Sequence, residues 1–243
     1  DGALIAGATW APVASGALLG NALSLVSGAG YRGYVNCQKH VSLSLQDAAT
    51  VEAWVYPITV TGVLSVLSNY DSAPNNAQYS LRIYDGYLDW STHSTLTLSV
   101  TGTTQAIPAN SWSHLVITRT AADGTVTLYV NGKADATTGT SAANEIGTEA
   151  ARGNTTVGRL GDYNAAQYFP GLIDSVCIYN RALSADEIRG RYMQGLAKLG
   201  KLQGAMRLFN SGWVPKVHLD PESADFQALS GAVRTSGQFY AGS

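Results

Sequence analysis

The chain has 243 residues, 45% of them hydrophobic and only 13% charged, with 26 glycines and a formal net charge of −2. That balance excludes a disordered chain, which needs high charge and few aromatic residues, and it leaves no basic stripe for a nucleic-acid backbone. No apolar run reaches the roughly 18 residues of a membrane span.

Strand patterns fill the chain up to Asn180. The run TVEAWVYP at 50–57 sets Val51 and Val55 among Trp54 and Tyr56 and stops at Pro57. YSLRIYDGYLDW at 79–90 reads as a hairpin. With Asp85-Gly86 as a two-residue turn, Tyr84 faces Tyr87, Ile83 faces Leu88, Arg82 faces Asp89 and Leu81 faces Trp90. Leu81, Ile83, Leu88 and Trp90 then share one face, and Arg82, Tyr84, Tyr87 and Asp89 the other. A second hairpin runs from SHLVITRT through the turn at Ala121 to Gly124 into TVTLYVNG, and Asn131-Gly132 makes the next turn.

Residues 133–156, rich in Thr, Ala, Gly and Asn, read as a long surface excursion. A strand is expected at TVGRL (156–160), and another at 169–179, FPGLIDSVCIY. Strict alternation there puts Leu172, Asp174, Val176 and Ile178 on one face. Many short strands with frequent turn signals indicate an all-β, two-sheet antiparallel sandwich. After Tyr179 the pattern turns helical. Ser184 and Glu187 form a capping box, and Ile188, Tyr192, Leu196 and Leu199 make an apolar stripe. Gly195, Gly200 and Gly204 weaken that helix. The expected division is a sandwich over 1–183, a helix packed on it over 184–209, and an extended C-terminal arm over 210–243. Cys37 and Cys177 have no metal spacing, and either two buried thiols or one disulfide fits the pattern. The start at Asp1, without methionine, fits a processed or excerpted product.

Several of these segments, in this order, resemble the laminin G-like branch of the concanavalin A-like lectin/glucanase superfamily. They are GNALSLVSGAGYRGYVNC, TVEAWVYP, NSWSHLVITRTAADGTVTLYVNGK and FPGLIDSVCIYNRALSADEI, and the likeness covers about residues 1–192. It implies a jelly-roll sandwich. Members commonly begin with one more strand than Asp1 allows and end near the helix. The likeness therefore implies a missing edge strand and a surplus tail, which could donate a strand to its own sheet or to a neighbouring copy.

An acid at the position of Asp174 contributes to a structural calcium site in several members, which would make Gly171 and Asp1 its companions here. Hydrolases of the superfamily carry closely spaced carboxylates on one strand, as retaining glycosidases require. Here none of Glu52, Glu145, Glu149, Glu187 and Glu222 has an acid two or four residues away on a plausible strand, and His114 reads as structural. The expectation is a non-catalytic protein. The patch of Arg82, Tyr84, Tyr87 and Asp89, bordered by Tyr70, Tyr163 and Tyr168, suits sugar recognition, with rings against C–H faces and charged groups on hydroxyls. Two roles follow: an extracellular glycan-binding or adhesion module, or a structural subunit of an extracellular fibre, appendage or virion surface that binds copies of itself through 210–243. Asn154-Thr155-Thr156 is a glycosylation triplet expected in a loop.

Overall fold

A computed structural model describes residues 3–12, 21–25, 33–40, 43, 45, 48–70, 77–93, 97–140, 153–161 and 167–199. Two seven-stranded antiparallel sheets lie face to face. One, the hairpin sheet, runs β1 (Ala3–Ile5), β4 (Tyr34–Asn36), β13 (Asn154–Val157), β6 (Val63–Tyr70), β7 (Ala77–Tyr84), β8 (Tyr87–His93) and β9 (Thr97–Ala106). The other, the helix sheet, runs β12 (Lys133–Thr140), β11 (Thr125–Val130), β10 (Ser113–Arg119), β5 (Ala49–Pro57), β14 (Gly171–Tyr179), β3 (Asn21–Ser24) and β2 (Thr9–Pro12). The core lies between them. Val51, Ala53, Val55, Leu115, Ile117, Val126 and Leu128 meet Leu64, Leu67, Tyr79, Leu81, Ile83, Leu88 and Trp90 there. The expected jelly-roll sandwich is what the chain forms.

The edge strand expected to be missing has a counterpart. β1 pairs with β4 and β2 pairs with β3, so residues 3–12 border both sheets. The surface excursion expected from residue 133 is instead the strand β12 as far as Thr140. It lacks large apolar residues because it packs at close range: a Cβ built on Gly139 would lie 2.2 Å from Val100. The strand expected at 156–160 is β13, two residues earlier, and Arg159 makes only an isolated bridge to Tyr168. The glycosylation triplet falls inside β13, not in a loop.

All but one residue of β5 is buried, because both its faces are covered. The inner face meets the core. The outer face, with Thr50, Glu52, Trp54 and Tyr56, lies under α1 (Ala185–Lys198) and its lead-in. The predicted capping box at Ser184 and Glu187 is present. Gly195 is where the helix touches down: a Cβ there would lie 2.1 Å from Trp54 Cζ2. The helix ends at Lys198 with Leu199 as its cap, earlier than the expected boundary at 209. Residues 200–243, which include the whole arm, lie outside the described residues.

A bulge in β14 corrects the expected facing of Asp174. Asp174 pairs with Trp54 but Cys177 pairs with Glu52, so one residue is extra between them, and Ser175 takes a positive φ of 50°. Beyond the bulge the faces exchange. Val176 and Ile178 turn to the core side, and Asp174 shares the outer face with Cys177 and Tyr179. Cys37 and Cys177 are both free thiols.

Candidate sugar-binding face

The predicted hairpin register holds at every pair. Tyr84 faces Tyr87, Ile83 Leu88, Arg82 Asp89 and Leu81 Trp90. Asp85 and Gly86 have φ of 46° and 85°, the double positive signature of a type I′ turn. The tip is fastened to the loop before β6, where Asp85 Oδ1 accepts the Gly62 amide at 2.7 Å.

Arg82 and Asp89 meet on the outer face as expected, but they are occupied with each other. Arg82 Nε and Nη2 both donate to Asp89 Oδ2, at 2.8 and 2.6 Å. Asp89 Oδ1 accepts the hydroxyls of Ser99 at 2.8 Å and Thr101 at 2.6 Å. The carboxylate is buried and carries four bonds, so it anchors β7, β8 and β9 to one another. The rings beside it are more open: Tyr84 is 46% exposed and Tyr87 half-buried.

Next to this anchor lies a row of hydroxyls that the sequence reading did not single out. Thr156 pairs with Ser68, Ser68 with Ser80, Ser80 with Ser91 and Ser91 with Ser99, which makes one rung across five adjacent strands. At about 4.8 Å per strand the rung is roughly 19 Å long. Ser68, Ser80 and Ser91, with Ser65 on the neighbouring rung, are buried and their Oγ atoms have no hydrogen-bond partner. Ser65 and Ser68 share a face despite their odd spacing because β6 is bulged between Ser65 and Leu67. Two-residue alternation through YSLRIYDGYLDWS would have found Ser80 and Ser91. Nothing local to β6 announces its bulge.

At the other side of the same sheet the Arg159 guanidinium lies over two rings, 4.7 Å from the centre of Tyr34 and 5.6 Å from that of Tyr168. Tyr168 is therefore half-buried against Arg159. Tyr34 was missed because its partners come from distant stretches of chain. Tyr70, expected in a loop, ends β6 opposite Asn154. Tyr163 lies outside the described residues.

Two of the three suggested calcium ligands, Asp174 and Gly171, are among the described residues. Asp174 is 7% exposed and its Oδ1 accepts the Ser175 hydroxyl at 3.3 Å. The Gly171 carbonyl, three residues back along the strand, accepts the Leu25 amide at 3.0 Å. Strand geometry separates the two residues by about 10 Å, whereas calcium gathers six to eight oxygens within about 2.6 Å. Asp1 lies outside the described residues, and among the described ones no group of three His, Cys, Asp or Glu could hold a metal ion.

His114 lies beneath α1, stacked against Trp54 at 5.1 Å and Tyr192 at 6.3 Å between ring centres. Its Nε2 is 3.5 Å from Glu52 Oε2. Tyr179 Oη and Arg191 Nη1 each donate to Glu52 Oε1 at 3.0 Å. Burial acts to raise the Glu52 carboxyl, and His114, Arg191 and Tyr179 outweigh it, so its pKa lies below the ordinary value. This cluster fastens the helix to the sheet.

The chain belongs to the concanavalin A-like lectin/glucanases superfamily, whose laminin G-type profile matches residues 29–189. No curated protein matches the sequence. Among solved structures, Domain 4 of AbnA, an extracellular arabinanase from Geobacillus stearothermophilus, solved with arabinotriose, is 22% identical with a TM-score of 0.59. That match covers 78% of this chain and 86% of that one. The binding domain of botulinum neurotoxin DC, solved with rat synaptotagmin II, is 13% identical at TM-score 0.59 over 80% of this chain. The binding domain of Paraclostridial Mosquitocidal Protein 1 is 18% identical at TM-score 0.57 over 79% of this chain. The chain spans less than half of either toxin domain, at 46% and 47%. What these proteins share with it is the sandwich fold.

Proposed function

We propose that this chain is a non-catalytic carbohydrate-binding module that works outside the cell or on a virion surface, with the outer face of the hairpin sheet as its glycan site. One observation carries the reading: a single sheet face has Tyr84 and Tyr87 at one end and Tyr34 and Tyr168 around Arg159 at the other, with buried, partnerless serine hydroxyls on the strands between. Tyrosine rings offer flat apolar surfaces to the C–H faces of a sugar. Serine hydroxyls both donate and accept, as sugar hydroxyls do. A buried hydroxyl without a partner is costly and calls for an explanation such as a ligand or a bound water. The likeness to a domain solved with arabinotriose makes arabino-oligosaccharides the first probes. The test is calorimetry and glycan-array binding of the full chain against Tyr84→Ala/Tyr87→Ala. The double variant is expected to lose about tenfold or more in affinity, on the order of 1.4 kcal/mol. Unchanged affinity for every recognised glycan would sink the assignment of this face.

A second reading, assembly into a fibre or shell, has one observation of its own. Trp10 on the edge strand β2 is 60% exposed and Leu4 on the edge strand β1 is 40% exposed. An exposed edge with a large apolar residue invites pairing. The arm at 210–243, to which the sequence assigned this role, lies outside the described residues. Solution mass of the full chain against a version ending at Leu208, and against Trp10→Lys, tests it. A monomer in all three cases removes the assembly reading.

A further inference from the structure

The rings on the outer face of the hairpin sheet form two separate stations. Tyr84 and Tyr87 face each other across the turn between β7 and β8. Their chain neighbours Ile83 and Leu88 lie in the core, so both rings point outward. The second station stands on β4 and the stretch after β13. Tyr34 adjoins the core residue Val35, and Tyr168 adjoins the core residue Phe169. The Arg159 guanidinium lies over both of these rings, and each is half-buried, with part of its surface open.

The register fixes how far apart the stations are. β13 and β6 separate β4 from β7, and β8 lies one strand further. Val35 pairs with Val157 and Val157 with Leu67, which puts Tyr34 level with Val66, at the bulged step of β6 opposite Arg82. Tyr84 is two residues beyond Arg82. Three to four strand spacings across and two residues along give about 16–20 Å between the stations. The floor between them is low. At this level the intervening stretches carry Gly158 and Ser65, with little or no side chain. Arg82, long enough to bar the path, is folded onto Asp89 by its two bonds to Oδ2.

We propose that one linear, unbranched glycan of about four or more sugar rings occupies both stations together, lying along the face. This rests on the sugar-binding reading above and adds to it the class of ligand. One or two rings reach a single station, whereas about four rings end to end span the distance set by the strand spacing. Once one station is filled, engaging the second is an intramolecular step. Affinity therefore climbs with ligand length up to the span and levels off beyond it. A short branched glycan covers one station at most.

The test is calorimetry of the full chain with linear arabino-oligosaccharides of two to eight rings. Where a glycan array picks out a different linear sugar, its own length series is used. Affinity is expected to rise about tenfold or more between two rings and five, then to change by less than about twofold. Tyr34→Ala should weaken the five-ring ligand about tenfold, to the level of the two-ring one, and so should Tyr84→Ala/Tyr87→Ala. If Tyr34→Ala lowers the melting temperature, Tyr168→Ala is read in its place. Affinity independent of length, binding of short branched glycans alone, or a rise that survives these variants would overturn the two-station proposal and leave the sugar-binding reading standing. No binding of any glycan at any length would overturn both.

Discussion

The outer faces of the two sheets come from the same alternation of residues and, though both are buried at their centres, are built from opposite chemistry. On the helix sheet the outer positions of β5 and β10 carry Glu52, Trp54, Tyr56, His114 and Val116, and α1 with its lead-in covers them with Leu183, Ile188, Tyr192 and Leu196. On the hairpin sheet the outer positions of β6, β7 and β8 carry Ser65, Ser68, Ser80, Arg82, Asp89 and Ser91. A face of large rings can be stable only under a lid of similar character, and the chain provides one. A face of short hydroxyls contributes little apolar area to folding, so its sequence is free to answer to something other than stability. The first face is where mutation should unfold the protein. The second, outside the Arg82–Asp89 anchor, is where mutation should leave it folded and change what it binds.

The largest effect that would break this contrast is expected at Trp54. Trp54→Ala removes the ring that Gly195, His114 and Tyr192 pack against, and should cost about 3–5 kcal/mol in a urea titration. A loss no greater than a surface substitution would mean that α1 does not depend on that face. Next comes the seam between the sheets. Asp135 of β12 accepts the amides of Thr103, Thr104 and Gln105 of β9, and that of Thr137, at 2.8–3.1 Å. Burial alone would raise its carboxyl, and these four bonds reverse that and hold it far below the ordinary range. Because the folded value is depressed, the stabilisation is complete above about pH 4, the ordinary carboxylate value, and drains away as pH falls toward the folded value. Asp135→Asn should cost about 2–3 kcal/mol at neutral pH. It should also flatten the acid limb of stability against pH, and an unchanged limb would reassign acid sensitivity elsewhere. The smallest effect sharpens the other side. Ser80→Ala removes a buried hydroxyl without a partner, so stability should hold or rise by up to about 1 kcal/mol while glycan affinity falls. A clear destabilisation would show that the hydroxyl has a structural bond.

Much of this was readable from residues alone, for identifiable reasons. Asp85-Gly86 accepts positive φ at both positions, which pins the turn type and with it every pair in β7 and β8. Ser184 and Glu187 are three residues apart on one chain, so their reciprocal bonds needed no tertiary information. What escaped depends on partners far away in sequence. β12 is a strand because β9 and β11 flank it, and its Thr, Ala and Gly residues carry no periodic signal. The pairing of Tyr34 and Tyr168 through Arg159 joins three distant segments. The bulges in β6 and β14 hid Ser65 and Ser68 on one face and assigned Val176 and Ile178 to the wrong one.

Those two bulges also mark where the chain tolerates a change in length. Removing any ordinary residue from the middle of a strand inverts every side chain beyond it. Val66 is the surplus residue of β6: without it Ser65 and Ser68 would still point outward and Leu67 inward, at the cost of one buried valine. A single-residue deletion scan through β6 should therefore give one survivor among failures. In β14 the tolerant step falls at Ser175 or Val176, and a deletion there would decide whether the inward turn of Ile178 outlasts the loss of the spare residue.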